Sequence, residues 1–122
     1  KGDGDGPASI APKGPRFKGR VFVLIGPENS SATYQFASLI KANKLGTLVG
    51  EPTGGNQRGI NGGAFFFLRL PESGLEADIP LIGYFPDKAM PDAGITPDVL
   101  APVTARDIAS GRDAAMERAL TL

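Results

Sequence analysis

The chain has 122 residues, 41% of them hydrophobic, which suits one small domain around a single core. Lys plus Arg and Asp plus Glu number 13 each, so no charge imbalance favours nucleic acid or an anionic membrane as a partner. The absence of cysteine excludes disulfides and thiolate metal sites, and the absence of histidine removes the commonest general base and metal ligand.

No apolar run approaches the roughly 20 residues that span a bilayer, and the N-terminus lacks the basic, apolar, small-residue succession of a signal peptide, so the chain reads as soluble. Residues 1–18, rich in Gly and Pro, have no apolar periodicity and predict a flexible linker or arm. Within them Asp3-Gly4-Asp5-Gly6 hints at a calcium loop. Pro7 occupies the next ligand position and no glutamate closes the loop, so no metal is expected. The apolar, β-branched run Val21-Phe22-Val23-Leu24-Ile25 predicts a strand buried on both faces, hence a central one.

Asn29-Ser30-Ser31-Ala32-Thr33 then joins this strand to a helix-like run, residues 32–44, with Thr33, Phe36, Ala37 and Ile40 at helical spacing and Gly46 as the stop. A serine at such a turn has two readings. It can be an N-cap whose hydroxyl accepts a bond from a backbone N–H. It can also be a nucleophile, placed where free N–H groups and the helix dipole stabilise an oxyanion. Thr47-Leu48-Val49-Gly50 reads as a second strand, making a right-handed βαβ unit with parallel strands.

Residues 51–63, with five glycines, form a loop at the carboxyl end of that strand, where open α/β sheets bind ligands. Gly50 to Gly55 has P-loop glycine spacing, but Asn56 and Gln57 replace the lysine and Ser/Thr that hold phosphate and magnesium, which excludes a nucleotide cofactor. Ala64 to Leu70 and Leu75 to Tyr84 predict a hairpin about the polar turn Pro71-Glu72-Ser73-Gly74, with Phe65, Phe66 and Phe67 packing both faces of a covered strand. Asp87 to Pro97 is a loop. Thr104 with Asp107 resembles a capping box, and Met116, Ala119 and Leu120 form the apolar stripe of a last helix.

The succession Gly19-x-Val21-Phe22-Val23-Leu24, Ser30-Ser31-Ala32, Gly50-Glu51-x-Thr53-Gly54-Gly55 and Gly94-Ile95-Thr96-Pro97-Asp98-Val99, ending in an Asp113-containing helix, resembles the C-terminal processing (tail-specific) serine protease family. The similarity runs from about Phe17 to Leu122. It implies an α/β, ClpP/crotonase-like βαβ sheet with a β-hairpin and a C-terminal helix, a polypeptide substrate, no cofactor, and a periplasmic or secreted setting. It places Ser31 as nucleophile and the Ala32 N–H as one oxyanion donor. Thr53, Gly54, Gly55, Asn56, Gln57, Gly62 and Gly63 would line the substrate cleft, with Asn56 pointing toward Ser31.

The chain also departs from the family. Asn56 stands where the Ser/Lys branch has its lysine base, and it cannot abstract a proton. The tricorn-core-like branch, to which the resemblance is nearer, uses an earlier histidine with a carboxylate before the Gly-Ile/Val-x-Pro-Asp motif. Here that stretch offers Asp92, which would orient a base supplied from outside. The family's Asp-Leu-Arg-x-Asn-x-Gly-Gly strand is missing too. Residues 19–122 therefore read as the C-terminal part of a protease domain, inactive alone and prone to self-association through an unpaired Val21–Ile25 edge. The alternative is a non-catalytic homologue that binds peptides or small ligands on the same scaffold.

Overall fold

A computed structural model describes residues 13–122. The reading of Asp3 to Gly6 and most of the arm reading lie outside these residues, and residues 13–18 are exposed and carry no regular element. The elements are β1 (Phe22–Ile25), α1 (Ser31–Ala42), β2 (Thr47–Gly50), β3 (Ile60–Arg69), β4 (Glu76–Tyr84), β5 (Val99–Leu100), α2 (Ala105–Ser110) and α3 (Ala114–Leu120). This is a mixed α/β architecture with a three-stranded parallel sheet, a separate antiparallel hairpin and helices at the C-terminal end.

The sheet runs β1-β2-β5, with Phe22 opposite Thr47, Ile25 opposite Gly50, and Val49 opposite Val99. Successive residues of a strand point to opposite faces, and the core divides accordingly. Leu48 packs with Ile25, Val23 and Ile95 against Tyr34, Ala37 and Ile40 of α1. Val49 packs on the other face with Phe22, Leu24, Val99 and Ala101 against Ala115 and Ala119 of α3. Leu48 and Val49 are each 0% exposed, so the strand covered on both faces is β2. The expectation that Val21–Ile25 is central is corrected: β1 is an edge of this sheet and its first three residues are only half-buried.

α1 is held to the sheet by Tyr34, Ala37 and Ile40. It ends before the predicted stop at Gly46. Lys44 takes the left-handed turn (φ 53°), with Lys44 N donating to Lys41 O at 3.2 Å and Leu45 N to Ile40 O at 3.0 Å. These two bonds satisfy the last carbonyls of the helix, a role glycine usually has. Lys41 reaches across to Thr96 O (2.7 Å) and Asp98 Oδ1 (2.8 Å), while Asp98 Oδ2 accepts from Leu48 N (2.9 Å). Helix, central strand and the approach to β5 are thereby tied at one point.

β3 and β4 pair antiparallel from Ile60 opposite Tyr84 to Arg69 opposite Glu76, with a register shift between Gly62 and Phe65 where Gly63 has φ 78°. β3 thus starts four residues before the predicted Ala64, through glycines read as loop. The covered-strand reading of Phe65, Phe66 and Phe67 is also corrected, since they are 45%, 55% and 59% exposed. A two-stranded ribbon has no second layer to bury both faces. The predicted last helix is two short ones. Thr104 and Asp107 form the capping box of α2, and Asp113 Oδ1 caps α3 by accepting from Met116 N at 2.8 Å. Met116 and Leu120 are exposed, so Ala119 with Ala115 carries the contact to the sheet. No helix among the described residues is long and apolar enough to cross a membrane.

Candidate active site

Ser31 sits six residues beyond the end of β1, as the first residue of α1, and its φ is 53°. For a residue other than glycine this left-handed backbone is strained by roughly 1–2 kcal/mol. The side chain is exposed, and no hydrogen bond joins its hydroxyl to any described residue. Ser30 is the N-cap by position, yet its side chain makes no capping bond. The Ser30 carbonyl instead accepts from Thr33 N (3.2 Å), Tyr34 N (3.4 Å) and Thr33 Oγ1 (2.8 Å). The capping reading of this turn is therefore not what the side chains do. The Ala32 N–H donates to no described group, which leaves it free at the positive end of a 12-residue helix.

The glycine loop lies against this turn. Gly54 N donates to Asn29 O at 3.1 Å, and a Cβ at residue 54 would stand 1.9 Å from Pro27 O. A Cβ on Gly55 would stand 2.4 Å from the Tyr34 ring. Only glycines allow the backbone this close on both flanks of Ser31. Asn29 is in turn fixed on Gly26, with Asn29 N donating to Gly26 O (3.0 Å) and Gly26 N donating to Asn29 Oδ1 (2.8 Å).

The other side of the loop is bound to residues 92–95. Thr53 N donates to Ile95 O (3.1 Å) and Ile95 N to Thr53 Oγ1 (2.8 Å). Gln57 N donates to Ala93 O (2.9 Å) and Gln57 Nε2 to Gly94 O (3.0 Å). The Thr53 side chain is thus buried and bonded within the protein. Asn56 corrects a further expectation. Its amide nitrogen donates to Asp92 Oδ1 and its oxygen accepts from Arg58 N (2.8 Å), so its bonds are turned to Asp92 and Arg58 and not to Ser31. The Asn56 amide, and then the Arg58 guanidinium at 2.9 Å from Oδ2, hold the Asp92 carboxyl below the usual carboxylate range.

A cavity of about 260 Å³ lies beside the loop, walled by Tyr34 and Gln35 of α1, Asn56 and Gln57 of the loop, and Tyr84 and Phe85 at the end of β4, and Ser31 is not among its lining residues. Burial pushes the Tyr34 phenol up, so it stays protonated. The hairpin wall of this cavity begins at Ile60. Gly62, paired with Ile82, and Gly63, in the bulge, lie further along β3. Sequence reasoning missed Asn29, Tyr34 and Arg58 as parts of this site. Only the Gly26-Pro27-x-Asn29 turn chemistry signalled any of them.

A parallel sheet whose carboxyl edge carries an exposed serine at a strained strand-to-helix turn, beside a free helix N-terminus, can present a hydroxyl to a carbonyl and an N–H to its oxygen. The family model described as Peptidase family S41 matches residues 3–101, and the chain belongs to that family. The resemblance to the C-terminal processing proteases read from the motifs is thereby borne out. Membership makes the chain a protein of a serine peptidase family, and peptidases of such a family take polypeptide substrates. No curated protein matches it.

Proposed function

We propose that this chain carries the nucleophile half of a serine endopeptidase, with Ser31 attacking a peptide carbonyl to form an acyl-enzyme and the Ala32 N–H donating to the oxyanion. The observation that carries the reading is the Ser31 turn itself: left-handed, exposed, engaged by no described group, and flanked by Gly54 and Gly55. An extended peptide would lie along the loop from Gly54 to Gln57, with buried Thr53 behind it, and continue toward Gly62 and Gly63, pairing by its backbone. The general base comes from outside these residues, since the chain has no histidine and Asn56 stands in the lysine position. Asp92 would orient that base, as in the tricorn-core-like branch. On this reading residues 19–122 form part of a ClpP/crotonase-like catalytic domain, residues 1–18 a linker, and the chain alone is inactive.

One observation favours a second reading, a non-catalytic peptide- or small-ligand-binding homologue: both residues nearest the family's base positions, Asn56 and Asp92, are bonded to each other. The experiment that tests the proposal is an assay of the chain on unstructured protein substrates and on a serine-directed phosphonate. The expected result is no appreciable turnover, because base assistance and a second oxyanion donor each contribute on the order of a hundredfold. Turnover abolished by Ser31→Ala would show that a base lies within these residues and overturn the proposal.

A further inference from the structure

We infer that Thr53 is a positioning residue for Ser31, acting through the glycine pair rather than touching substrate; the inference rests on reading Ser31 as the nucleophile. A left-handed non-glycine residue persists only where its surroundings over-determine it. On the near side of Ser31, Asn29 is fixed by two bonds to Gly26 and by Gly54 N on its carbonyl. On the far side, the buried Tyr34 ring lies against the Gly55 backbone. The pair Gly54-Gly55 therefore grips both flanks of the serine.

Glycines do not hold themselves in place, and at the upstream end of this pair the holding residue is Thr53. It is 5% exposed and makes both backbone and side-chain bonds to Ile95. The approach is tight, since a Cβ at Gly94 would stand 1.8 Å from Thr53 O. Without the Oγ1 acceptor the Ile95 N–H is left buried and unpaired. The loop then moves away from Ile95, the Gly54–Asn29 bond opens, and Ser31 is free to relax into the right-handed region.

Nuclear magnetic resonance on the 122-residue chain tests this without requiring catalysis. Scalar couplings and carbon shifts of Ser31 report its φ, and amide exchange of Gly54 reports the bond to Asn29. Thr53→Val should speed Gly54 exchange roughly tenfold or more and shift the Ser31 couplings toward helical values, while Leu48, in the middle of the sheet, stays protected. Thr53→Ser, which keeps the acceptor, should restore both. If Thr53→Val does not fold, Gln57→Leu, which removes the bond to Gly94 O at the downstream end, should give the same two shifts. In catalytically competent protein Thr53→Val should lower kcat roughly tenfold at unchanged KM. Unchanged Ser31 couplings and Gly54 exchange in folded Thr53→Val, or Thr53→Ser moving them as far, would overturn the inference. In catalytically competent protein, phosphonate labelling that misses Ser31 would instead refute the nucleophile and leave the brace standing.

Discussion

Replacing Gly54 with alanine is the sharpest perturbation of the proposed site. The new Cβ would lie 1.9 Å from Pro27 O, and real Cβ atoms essentially never approach within 3.0 Å, so loop and turn must separate by about 1.1 Å. The obstacle is backbone on both sides, so no side chain can swing away to relieve it. Separation of that size opens the 3.1 Å bond from Gly54 N to Asn29 O, a loss of about 1 kcal/mol, and overpacking adds roughly 1–3 kcal/mol. Gly54→Ala should therefore destabilise the chain by about 2–4 kcal/mol, read as a lower urea midpoint at unchanged slope. Gly62→Ala is the control, because nothing stands within 4 Å of a Cβ there, and it should fall within about 0.5 kcal/mol of the parent. Equal midpoints for the two variants would refute the packing of the glycine loop on the Pro27–Asn29 turn.

Leu48→Ala, at a fully buried side chain of the central strand, should destabilise by roughly 3 kcal/mol in the same urea assay, and a loss below about 1 kcal/mol would contradict the layer assignment. Acid titration should reveal Asp98. The Lys41 ammonium, then the Leu48 N–H, hold its carboxyl below the ordinary range. As pH falls the unfolded chain takes up its proton first, so this stabilisation is complete above about pH 3.9 and is lost as the pH drops through the folded-state value. Asp98→Asn should flatten that acid limb, and an unchanged limb would count against the Lys41–Asp98–Leu48 tie. Light scattering should show concentration-dependent self-association, driven by the exposed β1 edge and the apolar hairpin, and a strict monomer at high concentration would contradict it.

Much of this was legible in the sequence where local chemistry and periodicity agree. The apolar runs of β1 and β2, the helix between them, the hairpin turn at Pro71–Gly74 and the Thr104–Asp107 capping box are each set by neighbours in the chain. What was not legible depends on distant partners. Whether β1 is central or an edge is decided by which strand pairs beside β2, and that strand, β5, is two residues long. The burial of Phe65 to Phe67 depends on a layer that the described residues do not supply. Glycines at 62 and 63 read as loop because a bulge inside a strand uses the same residue as a turn. At the site, the serine's place was readable from the strand-to-helix junction. The turn of Asn56 toward Asp92 was not, because they are 36 positions apart and meet only when the glycine loop docks on residues 92–95.

The most direct test of the central claim is to react catalytically competent protein with a serine-directed phosphonate and locate the adduct by peptide mass mapping. The account predicts a single adduct on Ser31 that disappears in Ser31→Ala. An adduct on another serine, or labelling that survives the substitution, would contradict it.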